Sequence, residues 1–366
     1  MKFYHVEMQA IVKSNRLRER RLYDSNLIDL ASNDYLGLAS KKKLFKQAVK
    51  VVESLEYYGP KSSQLVNGYS PIHSRFEKRL AYVNGFEKGI VVGSGFLANI
   101  SLIEGLVRKK DVLFLDEEYH ASGMLASKLV DNVVVFKHND CNDLEQKIKT
   151  HKGKRNIIAI EGVYSMAGDI APKKFADIAN KYQALLIVDE AHSSGVIGDN
   201  LLGWFDYHNL EIQANYIKMG TLGKAYGSYG AYILASKHLI DFLQNRAKAI
   251  IYTTAPSLFD MAHGLVNFEY IQKKKDKIKK KIKERKKIME KYLELETDSL
   301  ILPIEIGDNK KVIEIQQELI DNGFMVGAIR QPTVPKAILR VILKLDIKKE
   351  DFKRLTTLLS THIDYV

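Results

Sequence analysis

A single cysteine, Cys141, stands in the whole chain. It permits no internal disulfide and cannot alone build a cysteine-rich metal site, which points to a reducing compartment and to the cytoplasm. The N-terminal stretch has no continuous apolar core and no cleavage pattern, so nothing there reads as an export signal. No run approaches the roughly 20 uncharged apolar residues that cross a bilayer, and no membrane association is expected. Internal repeats and Pro/Gly/Ser-rich linkers are missing too. What is present is ordinary for a folded protein: 366 residues, 46% hydrophobic and 27% charged. That length favours one large domain and one smaller one.

The formal net charge of +12 suggests nucleic acid until it is mapped. Between Lys273 and Lys291 stand twelve Lys/Arg against three acids, so this segment holds nine of the twelve net charges. Along it and just beyond its ends Ile271, Ile278, Ile282, Met289 and Leu293 recur at helical spacing. The segment is expected to be a surface helix with one buried stripe and solvated lysines; its sharper reading is a docking face for an acidic partner. Aromatic residues do not interleave the basic ones and no nucleic-acid motif accompanies them, so nucleic acid is excluded.

After an N-terminal segment to about residue 40, short apolar runs alternate with amphipathic stretches. The runs are Gly89–Val92, Val112–Leu115, Val133–Phe136, Ile157–Ile160, Ala184–Val188, Tyr216–Met219 and Ala231–Ala235. Helix-like patterns cover Ile72–Val83, Leu97–Val107 and Lys173–Tyr182. This predicts an α/β large domain over about 41–255, with a mostly parallel sheet covered on both faces. From about residue 256 a long helical region runs to about Leu295. Strand-like Leu300–Ile304, Met325–Ile329 and Leu339–Leu343 follow, with helical Val312–Asn322 and Lys349–Ser360. That part reads as a smaller C-terminal α+β domain over 256–366.

Five polar motifs follow separate apolar runs, where α/β sheets bind ligands. G-T-L-G-K-A-Y-G (Gly220–Gly227) sets Lys224 among small residues at a strand's end. Such an amine can condense with the aldehyde of pyridoxal 5′-phosphate and later act as a base, and Thr221 can donate to a phosphate. L-I-V-D-E-A-H (Leu186–His192) ends a buried strand in Asp189, the anion that would keep a pyridine nitrogen protonated; His192 could reach the ring's phenolic oxygen. G-S-G-F-L-A-N (Gly93–Asn99) opens a helix whose first amides suit a phosphate. It is neither a Walker A loop nor a full dinucleotide fingerprint. D-E-E-Y-H-A-S (Asp116–Ser122) offers His120 for stacking on an aromatic face. E-G-V-Y-S-M-A-G-D-I-A-P (Glu161–Pro172) offers Ser165 as a hydrogen-bond partner. Each motif alone is as well explained by a solvated loop lysine, a capping acid or a structural histidine; their order along one sheet is what joins them.

That order resembles the α-oxoamine synthases, a family of fold type I pyridoxal-phosphate enzymes. The resemblance runs from S-N-D-Y-L-G-L (Ser32–Leu38) to I-R-Q-P-T-V-P (Ile329–Pro335). V-N-G-Y-S (Val66–Ser70) and I-R-Q-P-T-V-P are most similar to the branch acting in biotin biosynthesis. The resemblance implies Lys224 as the Schiff-base lysine, Asp189 on the ring nitrogen, His120 on the ring face, and Ser165 and His192 on the phenolic oxygen. It implies the amides of Gly95 and Phe96, with Thr221, on the phosphate. Thr253, in Y-T-T-A-P (Tyr252–Pro256), would reach the neighbouring subunit's phosphate in a homodimer with a shared active site. Asn33 and Arg340 would take an amino-acid carboxylate. Thr333 would touch substrate, and Arg18, or else Arg20 or Arg21, the acyl group. The implied reaction is decarboxylative condensation of L-alanine with pimeloyl-CoA or a pimeloyl-acyl carrier protein, a PLP-dependent acyl transfer. The alternatives are glycine C-acetyltransferase or 5-aminolevulinate synthase, and more remotely an aminotransferase or a non-catalytic basic scaffold. Ala167 replaces an acid of the family pattern, I-L-R (Ile338–Arg340) replaces R-L-R so that only Arg340 of its two arginines remains, and G-P-K-S-S (Gly59–Ser63) replaces a glycine-richer stretch.

Overall fold

The structure is a computed structural model and describes residues 2–362. It divides into two compact units. The first comprises Leu36–Ser165 and Asp169–Lys279; the second comprises Met1–Tyr35, Met166–Gly168 and Lys280–Val366. The division falls inside the long helix Leu258–Leu293, at Lys279, whereas the sequence pattern changes near residue 256.

The strands, in chain order, are β1 (Ile28–Leu30), β2 (Lys88–Val92), β3 (Val112–Asp116), β4 (Val133–Phe136), β5 (Asn156–Glu161) and β6 (Leu185–Asp189). They continue with β7 (Tyr216–Thr221), β8 (Ala231–Ala235), β9 (Ile301–Gly307), β10 (Phe324–Ile329) and β11 (Ala337–Ile342). In the first unit all seven apolar runs become strands of one sheet, ordered β2-β8-β7-β6-β5-β3-β4. The chain is α/β with a mostly parallel sheet: β8 alone runs against its neighbours, antiparallel to both β7 and β2. Because β8 is reversed, β2 points the same way as β3 to β7, and the carboxyl ends of β2, β3, β5, β6 and β7 share one edge.

The central strands are buried along their length, as expected of apolar runs covered on both faces. Leu113, Ile157, Ile187, Ile217 and Ile233 pack in one core with Ala98, Leu102 and Leu106 of the helix Gly95–Leu106. Burying such aliphatic side chains contributes about 1.5–3 kcal/mol each. That is what holds the site-bearing strand ends in register.

The second unit holds a four-stranded sheet ordered β1-β10-β11-β9. β1 is parallel to β10, and the other pairings are antiparallel. β1 was not foreseen, because three residues are too few to show a period. The helix Lys2–Lys13 also lies within what the sequence presents as a featureless N-terminal segment. On the long helix, Ile271, Ile278, Ile282, Met289 and Leu293 are buried, while Lys273, Lys274, Lys277, Lys281 and Lys283 are exposed. Among the described residues no helix is long and apolar enough to cross a membrane.

Candidate active site

The common edge of the first unit's sheet gathers the chemistry. β6 ends at Asp189, which is 3% exposed, and β7 ends at Thr221 just before the turn that carries Lys224. That turn closes at Gly227, whose φ of 54° and close approach to the backbone of Leu38 and Ala39 leave no room for a side chain. It brings the Lys224 amine to 2.6 Å from Nε2 of His192, three residues past Asp189. The Asp189 carboxylate accepts from the Ala191 amide at 3.0 Å and from Nδ2 of Asn99 at 2.9 Å. Lysine, histidine and buried carboxylate therefore come from two adjacent strand ends and meet in one place.

His120, at the start of the helix Ala121–Ser127 after β3, belongs to the same electrostatic neighbourhood. Burial lowers its pKa from 6.5, the negative charge of Asp189 opposes that, and the Lys224 ammonium adds to it. Glu161 ends β5 directly across the register from Asp189. Burial, with Asp189 beside it, raises its pKa well above the carboxylate range, while Lys224 acts the other way. Its Oε2 accepts the Ser165 amide at 3.2 Å, and its Oε1 has no hydrogen-bond partner among the described residues. Ser165 itself is buried in the loop after β5.

At the end of β2, Ser94 caps the helix Gly95–Leu106 by accepting the Leu97 amide, and the Gly95 and Phe96 amides precede that one in the first turn. A side chain at Gly95 would lie 3.8 Å from Cβ of Thr221, so this helix start and the end of β7 are neighbours. Thr221 turns its hydroxyl inward to the Gly230 carbonyl at 3.0 Å and accepts the Gly223 amide, so it reaches a phosphate only after rotating. Thr253 is part-buried, beside the pairing of Thr254 with Ser63.

This donor set fits pyridoxal phosphate. It has an amine for the aldehyde, a buried anion for the ring nitrogen, an imidazole beside the amine, and a helix start for the phosphate dianion. The unpartnered buried oxygen of Glu161 adds an open polar valence at the same place.

Another polar cluster flanks the Ser165 loop. The His138 ring lies between Asp116 Oδ1 at 3.1 Å and Asp169 Oδ2 at 2.8 Å, edge-on to Tyr164 with centroids 4.3 Å apart. Burial works against its charge, but the two carboxylates win and lift its pKa to about 10.

In the second unit, Arg340 on β11 donates from Nη1 to Oδ1 of Asn33 at 3.1 Å. Arg18 donates to the Thr333 hydroxyl at 3.2 Å. Both line a cavity of about 640 Å³, with Arg16, Met8, Ile11 and Pro332. Arg330 ties the segment that carries Arg16 and Arg18 in place by donating to the carbonyls of Asn15 and Leu17. Of the other candidates, Arg21 is paired with Glu19, and Arg20 is exposed and absent from the cavity lining.

Comparison with known proteins identifies the family. The aminotransferase class I and II family matches residues 25–357. The chain belongs to that family. Among its relatives in the family is 8-amino-7-oxononanoate synthase of Helicobacter pylori strain J99, 45% identical over 98% of this chain and 96% of the relative. The enzyme of that name from Saccharophagus degradans is 34% identical over 97% and 94%. The solved structure of the Francisella tularensis 8-amino-7-oxononanoate synthase superposes with a TM-score of 0.76 at 26% identity, covering 92% of this chain and 98% of that one. Serine palmitoyltransferase of Sphingomonas wittichii shares the fold, with a TM-score of 0.89 at 23% identity over 98% and 96%.

Asn99, Ser122, Tyr119 and Glu161 were not singled out from the sequence, although all four lie within the quoted motifs. An amide inside the mostly apolar helix stretch Leu97–Ile103, where Ser101 is the other polar residue, was the available signal for Asn99.

Proposed function

We propose that this protein is a pyridoxal-phosphate-dependent acyltransferase that condenses L-alanine with a pimeloyl thioester, releasing CO2 and the free thiol and yielding 8-amino-7-oxononanoate for biotin biosynthesis. The approach of Lys224 to His192 beside Asp189 carries this reading. When bound, the cofactor supplies a protonated ring that delocalises the electron pair left on an amino-acid α-carbon. Lys224 supplies the amine that the aldehyde requires and, once released by the substrate amine, removes the α-proton. Asp189 holds its carboxylate against the ring nitrogen, oriented by the hydrogen bonds it accepts from Ala191 and Asn99. His192 and Ser165 serve the phenolic oxygen, His120 the ring face, and the Gly95 and Phe96 amides, with Thr221, the phosphate. Arg340 with Asn33 offers the fork and amide that a carboxylate takes. Arg18 and Thr333, at a cavity with both cationic and apolar lining, suit an acyl chain ending in a negative group. In this reading the enzyme works in the cytoplasm as a homodimer, Thr253 serving the partner's phosphate site.

Two measurements test it. Purified protein is mixed with pyridoxal phosphate, reduced with borohydride and digested; the label is expected on the peptide containing Lys224. Holoenzyme is then given L-alanine or glycine with pimeloyl-CoA and pimeloyl-acyl carrier protein, and the products are identified by mass. A label elsewhere, or turnover with glycine and short acyl thioesters only, rejects the assignment.

A further inference from the structure

Behind the proposed cofactor contacts lies a chain of buried hydrogen bonds whose directions are fixed by the groups themselves. An ionised Asp189 only accepts, so the Asn99 amide faces it with Nδ2, at 2.9 Å. The other hydrogen of Nδ2 goes to Ser122 Oγ at 2.8 Å, and the amide oxygen accepts from the Tyr119 hydroxyl at 2.8 Å. Burial raises the Tyr119 phenol well above its usual range, so that hydroxyl stays a donor. Ser122 Oγ, having accepted from Asn99, has its own proton to give, and His120 Nδ1 lies 2.7 Å away. The Ser122 amide points at the same nitrogen at 3.2 Å, and an amide can only donate. Nδ1 of His120 therefore presents a lone pair, and the proton of the neutral ring sits on Nε2. Asn99, Ser122 and Tyr119 are all buried, so water does not compete for these bonds.

We propose that Asn99, with Ser122 as relay, is the positioning residue that ties the Asp189 carboxylate to the His120 ring and, by aiming the Ser122 hydroxyl at Nδ1 beside the Ser122 amide, reinforces that ring's Nε2–H tautomer. The link to the cofactor rests on the function proposed above; the tautomer is a property of the protein alone. With Nδ1 engaged from behind, His120 offers a hydrogen-bond donor and no base, which leaves proton removal to Lys224. Without Asn99 the Ser122 hydroxyl is free to turn away from Nδ1, whose lone pair then keeps only the Ser122 amide as a donor, so the ring should protonate more easily even though Asn99 does not touch it.

The test uses protein carrying ¹⁵N-labelled histidine, with the His120 ring signals assigned by their loss in His120→Gln. Ring correlation spectra of the cofactor-free and loaded wild type are expected to show the Nε2–H pattern. In Asn99→Ala and in Ser122→Ala the His120 titration midpoint should move upward. Asn99→Ala should also bind pyridoxal phosphate roughly ten-fold or more weakly, as expected for losing a hydrogen bond to a charged group. Ser122→Ala removes only a hydroxyl and keeps the test alive if Asn99→Ala fails to fold. An Nδ1–H pattern in the wild type overturns the proposal, as does a His120 midpoint unmoved in the variants. A wild type that shows the Nε2–H pattern but takes up no pyridoxal phosphate supports the tautomer and sinks the cofactor reading instead.

Discussion

Replacing His138 with asparagine should flatten the dependence of stability on alkaline pH. The His138 ring bridges Asp116, which is fully buried, and Asp169, and it holds its proton to about 10 against an ordinary value of 6.5. A group whose folded pKa is raised stabilises fully below its unfolded value and loses that contribution as pH climbs through the folded one. Between these limits the unfolded chain has released the proton and the folded one has not. Each pH unit then removes about 1.4 kcal/mol, and going from about pH 7 to about pH 9 removes roughly 2–3 kcal/mol. The imidazole keeps some contact with solvent, so the lower end of that range is the better expectation. At about pH 7 the variant loses the cation between two carboxylates, a cost of about 2–4 kcal/mol. Trp204, the single tryptophan, is buried in the same unit and donates to the Ala171 carbonyl, so its fluorescence reports this unit's urea transition. Wild type should weaken between the two pH values, and His138→Asn should start lower and change less. Parallel slopes in the two proteins would refute the bridging role.

Lys224→Ala should leave no borohydride-trapped label and no measurable condensation, while its urea midpoint stays near that of wild type. Asp189→Asn should keep the shape of the site but remove the ring's counter-charge, lowering kcat by about two orders of magnitude or more in a steady-state assay. Arg18→Ala should raise KM for the pimeloyl thioester with kcat little changed, the signature of lost uniform binding; an unchanged KM would remove Arg18 from the acyl site. Arg340→Lys should raise KM for alanine, since an ammonium cannot reproduce the two-pronged contact of a guanidinium with a carboxylate. An unchanged alanine KM would reassign Arg340 to structure.

The strands of the large sheet were legible because each is an apolar run buried on both faces, a pattern that survives without any alignment. That Lys224, Asp189 and His192 would stand at neighbouring strand ends was legible, because each follows directly on an apolar run. The relay through Asn99 was not, since the pairing of Asn99 with Asp189 joins residues ninety apart and depends on which helix face meets which strand end. The His138 cluster was hidden for a similar reason: it draws Asp116 from the end of β3 and Asp169 from the loop after β5, and each looks like an ordinary turn or capping residue in isolation. β1 escaped because its pairing partner, β10, lies almost three hundred residues away. The division at Lys279 left no mark, because one continuous helix passes through it.

The lone reversed strand has a consequence for how the molecule is made. β2 sits at the sheet's margin and its neighbour in the order is β8, so a growing chain that has already emerged as far as Lys224 still has no partner for β2. The ladder that orients the Gly95 loop can close only after residues 231–235 leave the ribosome. Until then a nascent β2 presents an open edge, a natural place for a chaperone to bind or for aggregation to begin.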